Sequence, residues 1–263
     1  MSGFLQKIHD MTKDRVDAAR RVKPLSALRD APFYARTPAP VIPAFAAPGW
    51  HVIAEVKFAS PSEGDIRMPP EPAPVAQGYL QAGARMLSVL TEPRYFKGSL
   101  DYLAAIRAGA PDALLLRKDF ICDAYQLHEA RAHGADAVLL IVAMTDDALT
   151  QDLLQQAAAL GLTALVEVHD ADEMARAQKM GARMIGVNNR NLKTLKTTLD
   201  TSRQLAPRKA PGSVLICESG LSTDAQLREM RGLGYDGFLM GTHFMKKPSP
   251  GDALAALLKD CAA

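Results

Sequence analysis

Cysteine is scarce in this chain: only Cys122, Cys217 and Cys261 occur among 263 residues. They form no C-x-x-C pair and no even framework, which argues against a disulfide scaffold and suits thiols in a reducing compartment. Net charge is almost missing too. The 31 basic and 29 acidic residues leave +2, so nothing electrostatic points to nucleic acid or an anionic membrane as partner. Long apolar runs are also lacking. The longest, "AVLLIVAM", falls far short of the roughly 20 residues that span a bilayer, and "MSGFLQKIHDMTKDRVDAAR" mixes charges where a secretory signal would be apolar. A soluble, cytoplasmic protein is expected.

Several catalytic signatures are absent as well. No G-x-G-x-x-G follows a strand-like run, which weakens a dinucleotide-binding reading. No G-x-S-x-G nucleophile elbow occurs. His128 and His133 flank "HEARAH", but at ~100° per residue they lie about 140° apart on a helix and cannot chelate as an i,i+4 pair does. His9, His51, His169 and His243 are scattered. No metal is expected.

What is present is a repeat. Hydrophobic residues make up 48% of the chain, enough for a sizeable core. Eight short apolar runs recur: "HVIAEVK", "MLSVLTE", "ALLLRKD", "DAVLLIV", "LTALVEV", "RMIGVNN", "SVLICES" and "DGFLMGT". Between them lie helical stretches such as "VAQGYLQAGA", with Val75, Tyr79 and Leu80 on one side, "AYQLHEARAHGA" and "LTQDLLQQAAALG". Gly83, Gly134, Gly161, Gly181 and Gly234 stand at plausible helix C-termini. Strands apolar on both faces belong to parallel sheets covered by helices. Eight strand–helix units predict an α/β fold, a closed (β/α)₈ TIM barrel over residues 51–263, with an open doubly wound sheet as the alternative. Residues 1–50 stand outside the repeat. They read as an amphipathic N-terminal helix carrying Phe4, Leu5, Ile8 and Met11, then a connector with Pro32, Pro38, Pro40, Pro43 and Pro48. The helix is expected either simply to pack on the barrel or to lie near its mouth.

A barrel of this kind works at the C-terminal ends of its strands, and polar residues gather there. The first strand carries Glu55 and Lys57, two apart and therefore on one face. Thr91 and Glu92, Arg117 and Lys118, Glu167, Asn188 with Asn189 and Arg190, Glu218 with Ser219, and Gly241 with Thr242 end later strands. Charges held close in a partly dry cleft shift one another's pKa values and suit acid–base work. The turns "ESGLST" and "MGTHFM" follow the seventh and eighth strands, the usual phosphate position. Gly220 and Gly241 would let backbone approach an anion, with helix-start N–H groups as donors.

"IAEVKFASPSEG", at 53–64, resembles the signature of the indole-3-glycerol phosphate synthase family. The likeness continues in order through "SVLTEPRYFKGSL", "LLRKDFICDAYQLHEARAHGADAVLLIV", "ALVEVHD", "IGVNNRNLKTL", "CESGLS" and "GFLMGTHFM". It implies a cofactor-free carboxy-lyase of tryptophan biosynthesis. The substrate would be 1-(2-carboxyphenylamino)-1-deoxyribulose 5-phosphate, cyclised with loss of carbon dioxide and water. By this resemblance Lys118 is the general acid, Glu167 the acid/base of dehydration, and Lys57, beside Glu55, lies near the carboxylate and reacting centre. Which lysine serves which step stays open. Glu92 and Glu55 would hold Lys118 by charge pairing. Asn188 and Arg190 would position the anthranilate part or the sugar hydroxyls, and Glu218 would lie near those hydroxyls. Ser219, Gly220, Gly241 and Thr242 would cradle the phosphate. Ser60 would close over the ligand, and Phe96, Leu139 and Leu192 would face the aromatic ring.

Phe58 and Glu63 depart from the family pattern in the first βα loop, which is expected to be mobile. Phosphoribosylanthranilate isomerase or the tryptophan synthase α subunit would be rival barrels, as would a non-catalytic scaffold. The isomerase expects a Cys and Asp pair, whereas Cys217 and Glu218 are adjacent and point oppositely. The sequence carries no sign either way of docking to other tryptophan-pathway enzymes.

Overall fold

The structure, a computed structural model, describes residues 3–192 and 194–263. Eight parallel strands close on themselves. We label them β1 (Val52–Val56), β2 (Met86–Leu90), β3 (Leu115–Lys118), β4 (Ala137–Ile141), β5 (Thr163–Val168), β6 (Met184–Asn188), β7 (Val214–Glu218) and β8 (Gly237–Met240). β1 completes the ring, pairing with β2 through Ile53 and Met86 and with β8 through Ile53 and Leu239. All eight expected strands are found, and the open-sheet alternative falls with the closure.

Alternation along each strand explains how the site is positioned. Ile53, Met86, Leu116, Leu139, Leu165, Met184, Ile216 and Leu239 form an interior cluster. The intervening residues, among them Ala54, Val56, Leu87, Leu115, Val138, Val166 and Cys217, belong to a second cluster against the helices. Because strand side chains repeat every two residues, the inward set continues from Ile53 to Glu55 and Lys57, from Leu116 to Lys118, from Leu165 to Glu167, from Met184 to Asn188 and from Ile216 to Glu218. These five strands are thus greasy inside at their bases and polar inside at their tops, whereas β4 stays apolar inside through Leu139 and Ile141. Burying each Leu-sized side chain contributes roughly 1.5–3 kcal/mol, which offsets the cost of the polar layer above.

Local chemistry fixes the helices. Ser99, Asp123, Asp146, Asp170, Thr223 and Ser249 cap the helices that follow them with their side chains, satisfying otherwise orphaned N–H groups. Gly83, Gly134, Gly161, Gly181 and Gly234 all adopt positive φ, as expected of glycine just past a helix end.

The first segment does two things. Helix α1 (Gly3–Val22) buries Leu5 and Ile8, while Met11 is half-buried; the Phe4 side chain lies outside the described residues. Arg15 of α1 reaches Asp119, just beyond β3, at 2.7 Å, so α1 lies beside the strand C-terminal ends. The proline-rich connector instead holds two short helices that were not expected, α2 (Leu25–Arg29) and α3 (Ile42–Ala46). Phe45 of α3 and nearby Val41 join the interior cluster. A Cβ on Gly237, at the start of β8, would meet the Phe45 ring at 2.8 Å, so α3 plugs the base of the barrel. Among the described residues, no helix is long and apolar enough to cross a membrane.

Candidate active site

Glu55, Lys57, Glu92, Lys118, Glu167, Asn188, Arg190 and Glu218 converge on one cavity at the mouth of the barrel. Phe96, Leu139 and Leu192 supply part of its apolar wall, and Ser219, Gly220, Gly241 and Thr242 line it as well. Residues far apart in the chain therefore meet on one rim.

Lys118 is the hub. Its Nζ lies 2.8 Å from Glu218 Oε2 and 3.5 Å from Glu167 Oε2. Beside it, Lys57 Nζ lies 2.7 Å from Glu55 Oε1. Asn188 donates a 3.0 Å hydrogen bond to Glu167 Oε1. Burial disfavours the Lys118 ammonium, but the charges of Glu218, Glu167 and Glu55 outweigh it and raise its pKa. That keeps Lys118 protonated at neutral pH.

The two carboxylates on Lys118 diverge. Burial works against ionising Glu167, yet Lys118, His169 and Asn188 overcome it and hold the pKa at about 2. Burial also works against Glu218 and there prevails, pushing it up to about 7 with help from the negative charges of Glu167 and Glu55. It is surprising at first that the carboxylate closer to Lys118 is the one raised. The reason lies in the other partners. Glu55 has Lys57, and Glu167 has Asn188 and His169; Glu218 has, among the described residues, only Lys118, its Oε1 buried without a hydrogen bond. Three buried carboxylates beside two ammonium groups are not all held ionised equally well.

The turns after β7 and β8 have backbone that an anion could approach. Ser219 and Gly220 both have positive φ, 67° and 83°. A Cβ at Gly220 would come 2.8 Å from Thr197 Cγ2, and one at Gly241 would come 2.6 Å from Glu55 Oε1. Both positions thus exclude any side chain.

The structure separates other expected site residues from the cavity. Arg117 points outward and is buried, with Asp119 Oδ2 at 2.9 Å and Glu129 Oε2 at 3.0 Å. Thr91 donates to the same Asp119 oxygen at 2.8 Å. Both sit at strand-end positions of the wrong parity. Asn189 is also turned away, donating to the Glu218 carbonyl at 3.0 Å and accepting from the Ser202 amide at 3.0 Å. Glu92 lines the cavity but does not pair with Lys118. Its carboxylate accepts the backbone N–H groups of Arg94, Tyr95 and Phe96, so it shapes the turn that presents Phe96. Ser60 is buried in a small antiparallel pairing of Ala59–Ser60 with Gly64–Asp65 and does not line the cavity. Phe58 is buried edge-on to Tyr102, ring centroids 5.7 Å apart, so it anchors the first loop. Glu63 pairs with Lys246 at 2.5 Å.

Sequence reasoning missed Phe120, which lines the cavity with its ring centroid 6.2 Å from that of Phe96. Its place just beyond the Lys118 strand end was the available signal. Cys217 faces outward, 3.2 Å from Ser202 Oγ, with its thiol pushed up to about 11, mainly by burial. It offers nothing to a cysteine-based isomerase.

Comparison with known proteins decides the family. The sequence profile of indole-3-glycerol phosphate synthase matches residues 5–257. The chain belongs to the indole-3-glycerol phosphate synthase family. An indole-3-glycerol phosphate synthase of Albidiferax ferrireducens is 46% identical over 261 residues, covering 98% of each chain. That of Mycolicibacterium gilvum is 47% identical over 246 residues, covering 93% of this chain and 90% of its own. Among solved structures, 3-hexulose-6-phosphate synthase from Salmonella typhimurium superposes with a TM-score of 0.64 over 80% of this chain and 99% of its own. At 14% identity that likeness concerns the barrel alone. Within the indole-3-glycerol phosphate synthase family, then, this member carries its half-buried Lys118 ammonium, three carboxylates and glycine-lined turns on one rim.

Proposed function

We propose that this chain cyclises 1-(2-carboxyphenylamino)-1-deoxyribulose 5-phosphate to indole-3-glycerol phosphate, releasing carbon dioxide and water, and so acts as a carboxy-lyase in tryptophan biosynthesis. The observation that carries the reading is Lys118. It is one half-buried ammonium held among carboxylates, between an apolar wall and two glycine-lined turns.

The chemistry follows from that arrangement. Ring closure joins the ring carbon bearing the carboxylate to the ribulose carbonyl carbon, and negative charge gathers on the carbonyl oxygen. Lys118, kept protonated by its neighbours, gives that oxygen its proton as the bond forms. Carbon dioxide then leaves, and the electrons of the broken bond restore the aromatic ring. Water loss needs a proton delivered to the new hydroxyl and one removed from the neighbouring carbon. Glu167, ionised and fixed by Asn188, is the base. Glu218, with a pKa pushed up to about 7, shares a proton with Lys118 and can return it to the departing hydroxyl. Lys57, paired with Glu55, places positive charge where the substrate carboxylate is lost. Arg190 supports binding from the cavity wall, with Phe96, Leu139 and Leu192 against the aromatic ring and Ser219, Gly220, Gly241 and Thr242 at the phosphate. No cofactor enters this sequence, because the anilino nitrogen drives electrons into the ring.

The same proposal treats residues 1–50 as an accessory to the barrel of residues 51–263. Arg15 on Asp119 and Phe45 in the barrel base support it. A cytoplasmic setting agrees with three cysteines that are all free thiols.

Incubating the protein with 1-(2-carboxyphenylamino)-1-deoxyribulose 5-phosphate tests the reading. Indole fluorescence should appear with turnover. A protein that binds a substrate analogue yet yields no fluorescence would be a binding barrel instead.

A further inference from the structure

His169 plays no part in the mechanism above, yet it is wedged behind the base. It follows β5 two residues after Glu167, so both side chains extend to the same side. His169 Nε2 lies 3.1 Å from Glu167 Oε1, and Nδ1 lies 3.1 Å from Glu173 Oε2. Glu173 also accepts the His169 backbone N–H at 2.8 Å, and its place on α4 (Ala171–Lys179) is fixed by the Asp170 cap. The ring is therefore clamped on one side by a carboxylate rooted in a helix. Its other nitrogen faces the base at ion-pair distance, off the line of a good hydrogen bond and with no other partner.

We propose that Glu173 and His169 form a positioning relay behind Glu167, in which the imidazolium holds Oε1 and leaves Oε2 aimed at Lys118 and the substrate. A neutral imidazole has only one N–H, so facing a carboxylate with each nitrogen requires the doubly protonated ring. The charges around it agree. Glu167 on β5, Glu173 on α4 and Asp170 at its cap supply negative charge. Arg176 of α4 is drawn off to Asp147 at 2.6 Å, and among the described residues Arg190, beyond β6, is the other cation lining this side chamber. Burial alone would lower the His169 pKa, but Glu167 and Glu173 outweigh it and raise it to about 10. His169 is a positioning residue here, acting through Glu167.

The proposal rests on Glu167 being the base, and the tests separate the two. In the whole protein, ¹⁵N-imidazole spectra should show one histidine with both nitrogens protonated at pH 8, titrating far above the usual value of about 6.5. E173Q, nearly isosteric, should bring that midpoint down. His169→Ala should lower kcat on the order of tenfold, a fraction of a general base's full contribution, with KM little changed. Glu167 would then lose its cation, its pKa would rise, and the acid limb of kcat/KM would move to higher pH. His169→Gln restores a donor toward Oε1 and should recover part of kcat. It and E173Q carry the test if the alanine variant does not fold. A parent protein without turnover would sink the assignment of the base. An active parent whose His169→Ala variant keeps the same kcat, an acid limb left in place by His169→Gln, or a His169 midpoint near 6.5 would overturn the relay alone.

Discussion

Among the clusters of buried charge in this barrel, one at the wall and one at the mouth are built differently. At the wall, Asp136 is fully buried just before β4. Its Oδ1 accepts from Arg36 at 2.5 Å and from the Ala39 amide at 2.8 Å, and its Oδ2 accepts from Arg107 at 2.6 Å and from the Leu115 amide at 2.9 Å. Arg107 in turn donates to the carbonyls of Gly134 and Pro111. Every carboxylate oxygen is spoken for by rigid donors. At the mouth, Lys118 is shared by Glu218 and Glu167, and one oxygen of Glu218 has no hydrogen-bond partner among the described residues. The first cluster uses the fork of arginine, which suits fixed bidentate pairing; the second uses lysine, a mobile point charge with a movable proton. A saturated cluster holds shape, whereas an unsaturated one keeps capacity for a substrate.

If that contrast is right, breaking each cluster has different consequences. Asp136→Ala would leave Arg107 buried and unpaired, which should cost about 3–5 kcal/mol and lower Tm by roughly 10 °C at 2–4 °C per kcal/mol. The molecules that remain folded should keep their kcat; thermal melts and active-site titration would check both. Gly186→Ala is a milder change aimed at the mouth. Its Cβ would fall 1.9 Å from Glu218 Oε1, so Glu218 must swing away from Lys118. We expect kcat to fall roughly 10–100-fold, about 1.4–2.7 kcal/mol of barrier, with Tm nearly unchanged. Smaller still is the effect of an anion. Inorganic phosphate at ten times its Kd should add about 1.4 kcal/mol and raise Tm by a few degrees. Gly220→Ala, whose Cβ meets Thr197, should abolish that rise.

The barrel was legible in the sequence because its signal is local. Eight apolar runs and five glycines at helix ends mark strands and helices that need no distant partner to be recognised. Strand parity from Ile53 to Lys57 likewise placed Glu55 and Lys57 on one face. The same rule turns Arg117, Thr91 and Asn189 outward, although polarity near a strand end alone would assign them to the mouth. What could not be read was partner choice. Glu92 bonds backbone amides rather than Lys118, and Glu218 takes Lys118, because those pairings depend on the closure of the ring and not on neighbours in the chain. The helices of the connector were hidden by its prolines, and the plug formed by Phe45 is visible only against Gly237.

The central claim is that Lys118, held by Glu218 and Glu167, supplies the proton for ring closure. Turnover of 1-(2-carboxyphenylamino)-1-deoxyribulose 5-phosphate by Lys118→Ala, followed by indole fluorescence beside a measurement of analogue binding, tests it most directly. The rate should drop by on the order of 10²–10⁴-fold while the analogue still binds. A variant that cyclises the substrate at close to the parent rate would contradict it.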